Sequence, residues 1–342
     1  MDKNKLIMTL LKGRTLIVLA MLVVFFSLAT PNFLTANSML LLAKHVALYG
    51  ILAIGMTYVI ITGGIDLSVG AVVGLAGIIA GGLIQNGLTI ESLGVTIYMS
   101  VPLVVAATLL VGALVGLVNG TIITRFGVAP FIATLGTMYI ARGFAMLHSN
   151  GATYSNILGN DALGNRGFDF FGSSVAGIPI GAIILIVIAL IASALLMKTV
   201  FGWHTFAIGG NAKAAKLSGI KVNRVTVLVY VFSGVLAAIV GIITASQLEA
   251  SHPASGTTWE MNAIAAAVLG GTSMMGGIGT IGGTIVGAFV IGVISDGMVM
   301  CGVSEFWQMI IKGVVIVLAV IIDQFQRNME AKMALQARNE SK

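Results

Sequence analysis

Residues 180–197 read IGAIILIVIALIASALLM, eighteen positions with no charge and no polar–apolar alternation. A run of about 18–20 such residues is long enough to cross a hydrocarbon core of roughly 30 Å as a helix. Only helices and closed barrels satisfy every backbone group in lipid, and barrel strands alternate. This segment therefore reads as a transmembrane helix. Comparable runs occupy 15–30, 40–62, 67–85, 97–119, 128–147, 225–246, 261–274, 279–299 and 306–322. That makes about ten spans; eight or nine also fit, because 261–274 is short. The whole chain agrees: 58% of its 342 residues are hydrophobic and 9% are charged, against roughly 25% charged in soluble domains. The expectation is an all-α polytopic integral membrane bundle. It forms a single domain over 1–342, with one long polar loop at 198–224 and a tail at 323–342.

Charge gives the orientation. Lys3, Lys5, Lys12, Arg14, Arg125, the loop 198–224 and the tail residues Arg327, Lys332, Arg338 and Lys342 fall on one side of a ten-span chain. Basic loops stay cytoplasmic, so both termini are expected in the cytoplasm. Glu91, Asp161, Asp169, Glu249, Glu260 and Glu305 fall on the other side, with Arg166 the basic exception. The net charge of +6 is thus explained by orientation and does not point to nucleic acid. Residues 1–30 resemble a signal peptide ending near Ser27-Leu28-Ala29, but the many spans that follow favour an uncleaved first helix. Lys44, Arg142 and Lys312 lie in or near spans and are expected to snorkel to an interface rather than face a polar interior. Cys301 is the only cysteine, so no intrachain disulfide forms.

Glycine is the packing material. Of 44 glycines, many fall four apart: Gly70/Gly74, Gly77/Gly81, Gly112/Gly116/Gly120 and Gly283/Gly287. Small residues at this spacing let helix backbones approach closely in lipid. Two echoes stand out. VIITGGIDLSVGAVVG (59–74) resembles AVLGGTSMMGGIGTIGGTIVG (267–287), and GVAPF (127–131) resembles GVSEF (302–306). They leave open a weak internal repeat, with turns at Gly63, Gly64 and Gly70 in one copy and Gly270, Gly271, Gly276 and Gly277 in the other.

Few residues are placed for chemistry. Asp66 in GGIDLSVG lies between two spans, by charge count at their cytoplasmic ends. Asp66 or Ser68 reads as the cap of the following helix; the alternative is a proton or cation site. Gly277, Gly279 and Gly282 spell GxGxxG, but with no strand before them they read as a turn with packing glycines. No GxxxxGK[ST], HExxH or GxSxG occurs, so the chain is expected to hold no nucleotide, metal or cofactor and to be no enzyme. The polar loops 148–175 and 249–260 read either as solvated connections or as docking surfaces for an extracytoplasmic partner. Asn119, Thr134, Thr137, Tyr139 and Asn262 lie in or beside spans. They could line a weakly binding path or bond helix to helix.

GGNAKAAKLSGIKVNR (209–224) is an island of basic charge. Asn211 is placed to cap a helix of about two turns and Gly219 to end it. Such a helix would lie on anionic lipid headgroups, or insert into a cytoplasmic partner through its alanine surface of Ala212, Ala214 and Ala215, with Leu217 as anchor.

Taken together, several segments carry a family resemblance. They are PNFLTANSM (31–39), AIGMTYVIITGGIDLSVGAVVGL (53–75), GLVNGTIITRFGVAPFIATLGTMYIARG (116–143), FAIGGNAKAAKLSGIKV (206–222) and EMNAIAAAVLGGTSMMGGIGTIGGTIVGA (260–288). With them, roughly 15–325 resembles the permease subunits of bacterial ABC importers for monosaccharides, the ribose/galactoside/xylose class. The resemblance implies two permeases forming the path in the inner membrane, ATP and Mg on a cytoplasmic ATP-binding subunit, and a periplasmic sugar-binding protein. It also implies a coupling loop at Gly209, Gly210, Asn211, Ala212, Ala215, Ser218 and Gly219. Ala212 stands where the broader importer family often has an acid. The same superfamily carries branched-chain amino acids and nucleosides, and an ion-coupled carrier using Asp66 is the alternative from a different class.

Overall fold

The computed structural model describes residues 14–340; the expectations for Lys3, Lys5, Lys12 and Lys342 lie outside them. The described chain is an all-α bundle. Its helices are α1 (Arg14–Ala29), α2 (Ala36–Ile61), α3 (Val69–Gln85), α4 (Val101–Phe126), α5 (Pro130–Ser149), α6 (Ile180–Lys198), α7 (Val200–Leu217), α8 (Val222–Leu248), α9 (Trp259–Leu269), α10 (Ile281–Met300) and α11 (Glu305–Glu340). Proline opens α4 and α5, where its missing N–H costs nothing. Seven helices are long and apolar enough to cross a membrane, and α1, α3 and α9 are shorter. The expected tail at 323–342 is a continuation of α11 through Glu340.

Helix ends meet at two faces. At the basic end, Ile61 closing α2 touches Gly209 and Gly277, the Asn223 amide reaches the Thr124 carbonyl, and Thr15 bonds the Leu269 carbonyl. At the acidic end, Tyr154–Ser155 pairs antiparallel with Ala250–Ser251, and Asn165 bonds the Ile84 carbonyl closing α3. These contacts place successive helix ends on opposite faces, and α7 lies at the basic end as an extra helix.

The buried core surrounds α2, whose Ile51, Ile54, Met56, Tyr58 and Ile61 are fully enclosed. Tyr58 donates to the Ala192 carbonyl of α6 at 2.6 Å. Leucines and isoleucines of α4 and α6 instead face outward, as a lipid-covered surface requires. The glycine seams find their partners: a Cβ on Gly112 or Gly116 would strike α8 backbone, and one on Gly287 would strike the Ala266 carbonyl of α9.

Two expected spans need correction. The run 261–274 forms a helix only to Leu269, and α9 covers about 16 Å at ~1.5 Å per residue. Its glycines 270 and 271 end the helix, and 270–280 folds as turns. The run 67–85 becomes α3, whose first residues lie deep inside the bundle.

The echoes also resolve. After α2, Gly63 and Gly64 donate to the Ile60 and Val59 carbonyls; after α9, Gly271 and Thr272 donate to those of Val268 and Ala267. The equivalent positions are Gly63 and Gly271, at φ 82° and 89°, so the Gly-Gly pairs are one residue out of register. GVAPF turns at the basic end and GVSEF at the acidic end. One echo keeps direction and the other inverts it, so the two do not belong to one repeat operation; each shares its helix-end chemistry.

Candidate functional site

The first cluster of interest forms where the chain breaks between α2 and α3. Asp66 Oδ1 accepts from the Ser68 backbone N–H at 3.0 Å and from its hydroxyl at 2.6 Å, and Oδ2 accepts from Ser233 of α8 at 2.9 Å. Asn119 of α4 donates to Ser68 Oγ at 2.9 Å and accepts from Thr137 of α5 at 2.5 Å. Thr134 donates to the Ile65 carbonyl at 3.1 Å. Asp66, Ser68, Asn119, Thr134 and Thr137 are all buried. Asn119 and Thr137 lie about 10 Å from the basic ends of their helices and Ser233 about 16 Å from that of α8, at ~1.5 Å per residue. Asp66 is therefore well inside the bundle, not at the basic end where charge counting put it. Ser68 occupies the cap position of α3, but its side chain makes no capping bond; the Asp66 carboxyl, two residues earlier, takes the Ser68 N–H. In this conformation Asn119 and Thr137 bond α4 to α5 and to the start of α3, and Thr134 bonds the 62–68 passage. Asn262 is likewise buried, and Tyr139 is 70% exposed on the outer surface.

A second polar cluster pins another non-helical passage. Arg142 Nη1 donates to the carbonyls of Pro253 at 2.5 Å and Ser255 at 2.8 Å, and Nη2 to that of Gly70 at 3.3 Å. A Cβ on Gly74 would intrude on the guanidinium, and one on Gly70 would collide with Glu260 and the Gly256 carbonyl. Arg142 thus faces a polar interior instead of snorkelling. The segment 249–260 is part solvated and part inserted: Glu249, His252, Thr257 and Thr258 are exposed, while Ser251, Pro253, Gly256 and Glu260, near the start of α9, are buried. The loop 148–175 does sit at the acidic end, where exposed Arg166 bonds Asp161 at 2.5 Å. That hydrogen bond raises the guanidinium pKa further.

The third arrangement involves 209–219. α7 is interrupted at Asn211, whose backbone is extended at φ −163°, ψ 101°. Asn211 Oδ1 accepts from the Ala214 N–H at 3.0 Å. The turn ends with Gly219 at φ 85°. There the Gly219 N–H bonds the Lys216 carbonyl and the Ile220 N–H bonds that of Ala215, both at 3.1 Å. Asn211 and Gly219 thus begin and end the segment as their types dictate. Ala212, Ala214, Ser218 and the two lysines are exposed, and Leu217 is 89% exposed. Ala215 differs from expectation: it packs inward against Ile208 and Val225 and belongs to no free surface. Upstream, Gly209 is wedged against the Ile61 carbonyl and the Gly277 nitrogen, while Gly210 faces open space. The Gly276–Gly277 turn, at φ 85° and 75°, is tied to α2 by the Gly277 N–H to Ile61 carbonyl bond of 2.9 Å.

Some polar residues escaped sequence reading. Asp296 of α10 bonds His45 of α2 at 2.7 Å and is buried. A lone acid inside the apolar run 281–300 was the available signal. Three acids are thus buried: Asp66, Glu260 near the partly buried Arg142, and Asp296 bonded to the partly exposed His45. Ser233 gave no signal, being one small polar residue in a long span.

Residues 38–320 match the sequence profile of the branched-chain amino acid transport system permease component. The chain is 43% identical over 307 residues to the ribose import permease protein of Bacillus subtilis, covering 90% of each chain. It is 39% identical to the ribose import permease protein of Escherichia coli K12, covering 92% of this chain and 94% of that one. It is 37% identical to the L-arabinose ABC transporter permease protein of Azospirillum brasilense, covering 94% and 91%. No solved structure matches.

Proposed function

Because the chain belongs to the permease-component family of branched-chain amino acid transport systems, within its monosaccharide ABC importer class, we propose that it is the membrane subunit of an ATP-driven importer for a ribose-like pentose or related sugar. The supporting observation is 43% identity across 90% of a ribose import permease. On this reading two copies, or one copy and a related permease, enclose the path in the inner membrane. A separate cytoplasmic subunit hydrolyses ATP, and a periplasmic protein delivers the sugar to the acidic end. The basic end faces the cytoplasm with both termini, in keeping with the retention of basic loops there. The 209–219 segment is the contact for the ATP-binding subunit: a capped turn offering Ala212, Ala214, Ser218 and the exposed Leu217 from a basic surface. Asn119, Thr134, Thr137 and Asn262 serve as internal struts of the conformation described, and the path lies between subunits.

Affinity purification from native membranes is expected to bring down an ATP-binding subunit, while the isolated chain hydrolyses no ATP. Proteoliposomes holding the complex and the binding protein should import tritiated D-ribose, arabinose or galactose only with ATP. Uphill sugar accumulation by vesicles holding this chain alone would overturn the reading and return Asp66 to consideration as an ion-coupling site.

A further inference from the structure

The three segments of 209–219, 59–74 and 267–287 lie far apart in sequence and meet at one point. Gly209 presses its backbone against the last carbonyl of α2 and against the Gly277 nitrogen, with no side chain between them. The Gly277 N–H to Ile61 carbonyl bond fastens the second and third segments to each other. A close-packed interior transmits displacement rather than absorbing it.

What lies beyond the junction gives it meaning. On one branch, the Gly63 and Gly64 N–H groups lock the turn onto α2, and the passage ends at Asp66 and Ser68, bonded to α8 and α4. On the other branch, Ser273 and Ile278 close the 273–278 loop with a backbone bond of 2.9 Å. That loop leads into α10, whose Gly283 packs on the Gly270 carbonyl. Both branches are breaks in membrane helices, the type of element at which transporters form their sites and rearrange.

We propose that Gly209 is a positioning residue: the backbone junction Gly209–Ile61–Gly277 relays movement of the 209–219 segment to both broken passages at once. This rests on the reading that 209–219 meets an ATP-binding subunit, and it adds the route by which the contact reaches the membrane interior. The route is made of backbone, so tolerance must differ sharply between Gly209 and a nearby glycine outside the junction. A Cβ at Gly209 collides with two backbones, whereas a Cβ at Gly282, at the start of α10, has nothing within 4 Å.

The test reconstitutes the complex purified with its ATP-binding subunit, with the binding protein and tritiated D-ribose. It compares Gly209→Ala with Gly282→Ala. Gly209→Ala is expected to assemble and hydrolyse ATP but to import roughly 5–150-fold less sugar per ATP, the range of a typical coupling energy; Gly282→Ala, outside the subunit contact, should match wild type. Lost stability alone would reduce the amount of complex without changing that ratio. Equal ratios for the two variants, whether both normal or both reduced, would overturn the relay. Should wild type bring down no ATP-binding subunit, the underlying function falls and the relay with it. A second measurement leaves Gly209 intact. In a Cys301→Ser background, spin labels at Lys221→Cys, just past the contact segment, and Met275→Cys, both on exposed residues, should keep their separation when ATP binds. The distance from Lys221→Cys to a label at Leu34→Cys should change. If instead the Lys221–Met275 distance changes as much, the segment and the turn do not move together and the relay is wrong.

Discussion

Replacing Asp66 separates a structural carboxyl from an ion-coupling one. Its two oxygens receive three hydrogen bonds, from the Ser68 N–H, the Ser68 hydroxyl and the Ser233 hydroxyl. In Asp66→Ala the Ser233 hydroxyl can turn to a carbonyl of its own helix, but the Ser68 N–H has nowhere to go. Leaving one buried donor unmade costs about 1–3 kcal/mol. Losing the Ser68 hydroxyl bond, which also braces the Asn119–Thr137 chain, adds about 1 kcal/mol. The total is roughly 2–4 kcal/mol, a large share of a stability of about 5–15 kcal/mol. Asp66→Asn keeps one oxygen for Ser68 and offers an amide that Ser233 can accept, so it should cost about 1 kcal/mol or less. The assay is thermal unfolding of the detergent-solubilised chain, alongside uptake of tritiated D-ribose by cells. Asp66→Asn should stay close to wild type in both, and Asp66→Ala should lower the melting temperature and the amount of chain in the membrane. If Asp66→Asn keeps wild-type stability yet abolishes uptake, the carboxyl does chemistry that a strut does not require, and the reasoning fails.

Arg142→Met should strand the carbonyls of Pro253, Ser255 and Gly70 and leave Glu260 buried near no cation, a loss of about 3–5 kcal/mol. It should be read as lower thermal stability and faster proteolysis within 252–258 from the acidic face. Gly234→Ala puts a Cβ onto the Gly112 carbonyl and should cost about 1–3 kcal/mol, whereas Gly143→Ala, which meets nothing within 4 Å, should melt as wild type. Ala215→Glu forces a carboxylate between Ile208 and Val225 and should destabilise the chain itself. Ala214→Glu, on the exposed side of the same turn, should leave melting unchanged and weaken only capture of the ATP-binding subunit.

The parts legible in the sequence share one property: their physics is local. A run such as 180–197 needs nothing but its own composition to become a helix in lipid. Asn211 and Gly219 declare the start and stop of a turn because one supplies a capping oxygen and the other tolerates φ 85°. The glycine seams were readable as seams, but not their partners. Gly70 and Gly74 proved to admit a loop and a guanidinium rather than another helix. Depth was not legible. Asp66 has apolar neighbours on both sides, and counting charges along the chain cannot tell a residue at a membrane surface from one folded back into the interior. The depth of Glu260 is hidden for the same reason. Alanines along a short helix carry no sign of which face turns inward, so the burial of Ala215 is not legible; Ile208 and Val225 decide it from outside the segment.

The correction in depth explains why so many polar residues sit inside an apolar bundle. Backbone that is not helical cannot face lipid, since each unmet group costs several kcal/mol. Three passages here leave helical geometry within or at the edge of the bundle: 62–68, 252–258 and 270–280. Each has dedicated partners from elsewhere in the chain. Thr134 serves Ile65, Arg142 serves Pro253 and Ser255, and Ile61 serves Gly277. These groups are α5 side chains for two of the passages and the last backbone carbonyl of α2 for the third. Moving α5 relative to α3 would therefore strip two passages of their hydrogen bonds at once. Ser68 and Thr137 also bond Asn119 of α4, and Asp66 bonds Ser233 of α8, so α3, α4, α5, α8 and 252–258 must move together to keep every bond. The polar network thereby defines a unit that travels intact, and the glycine seam between α4 and α8 lies inside it.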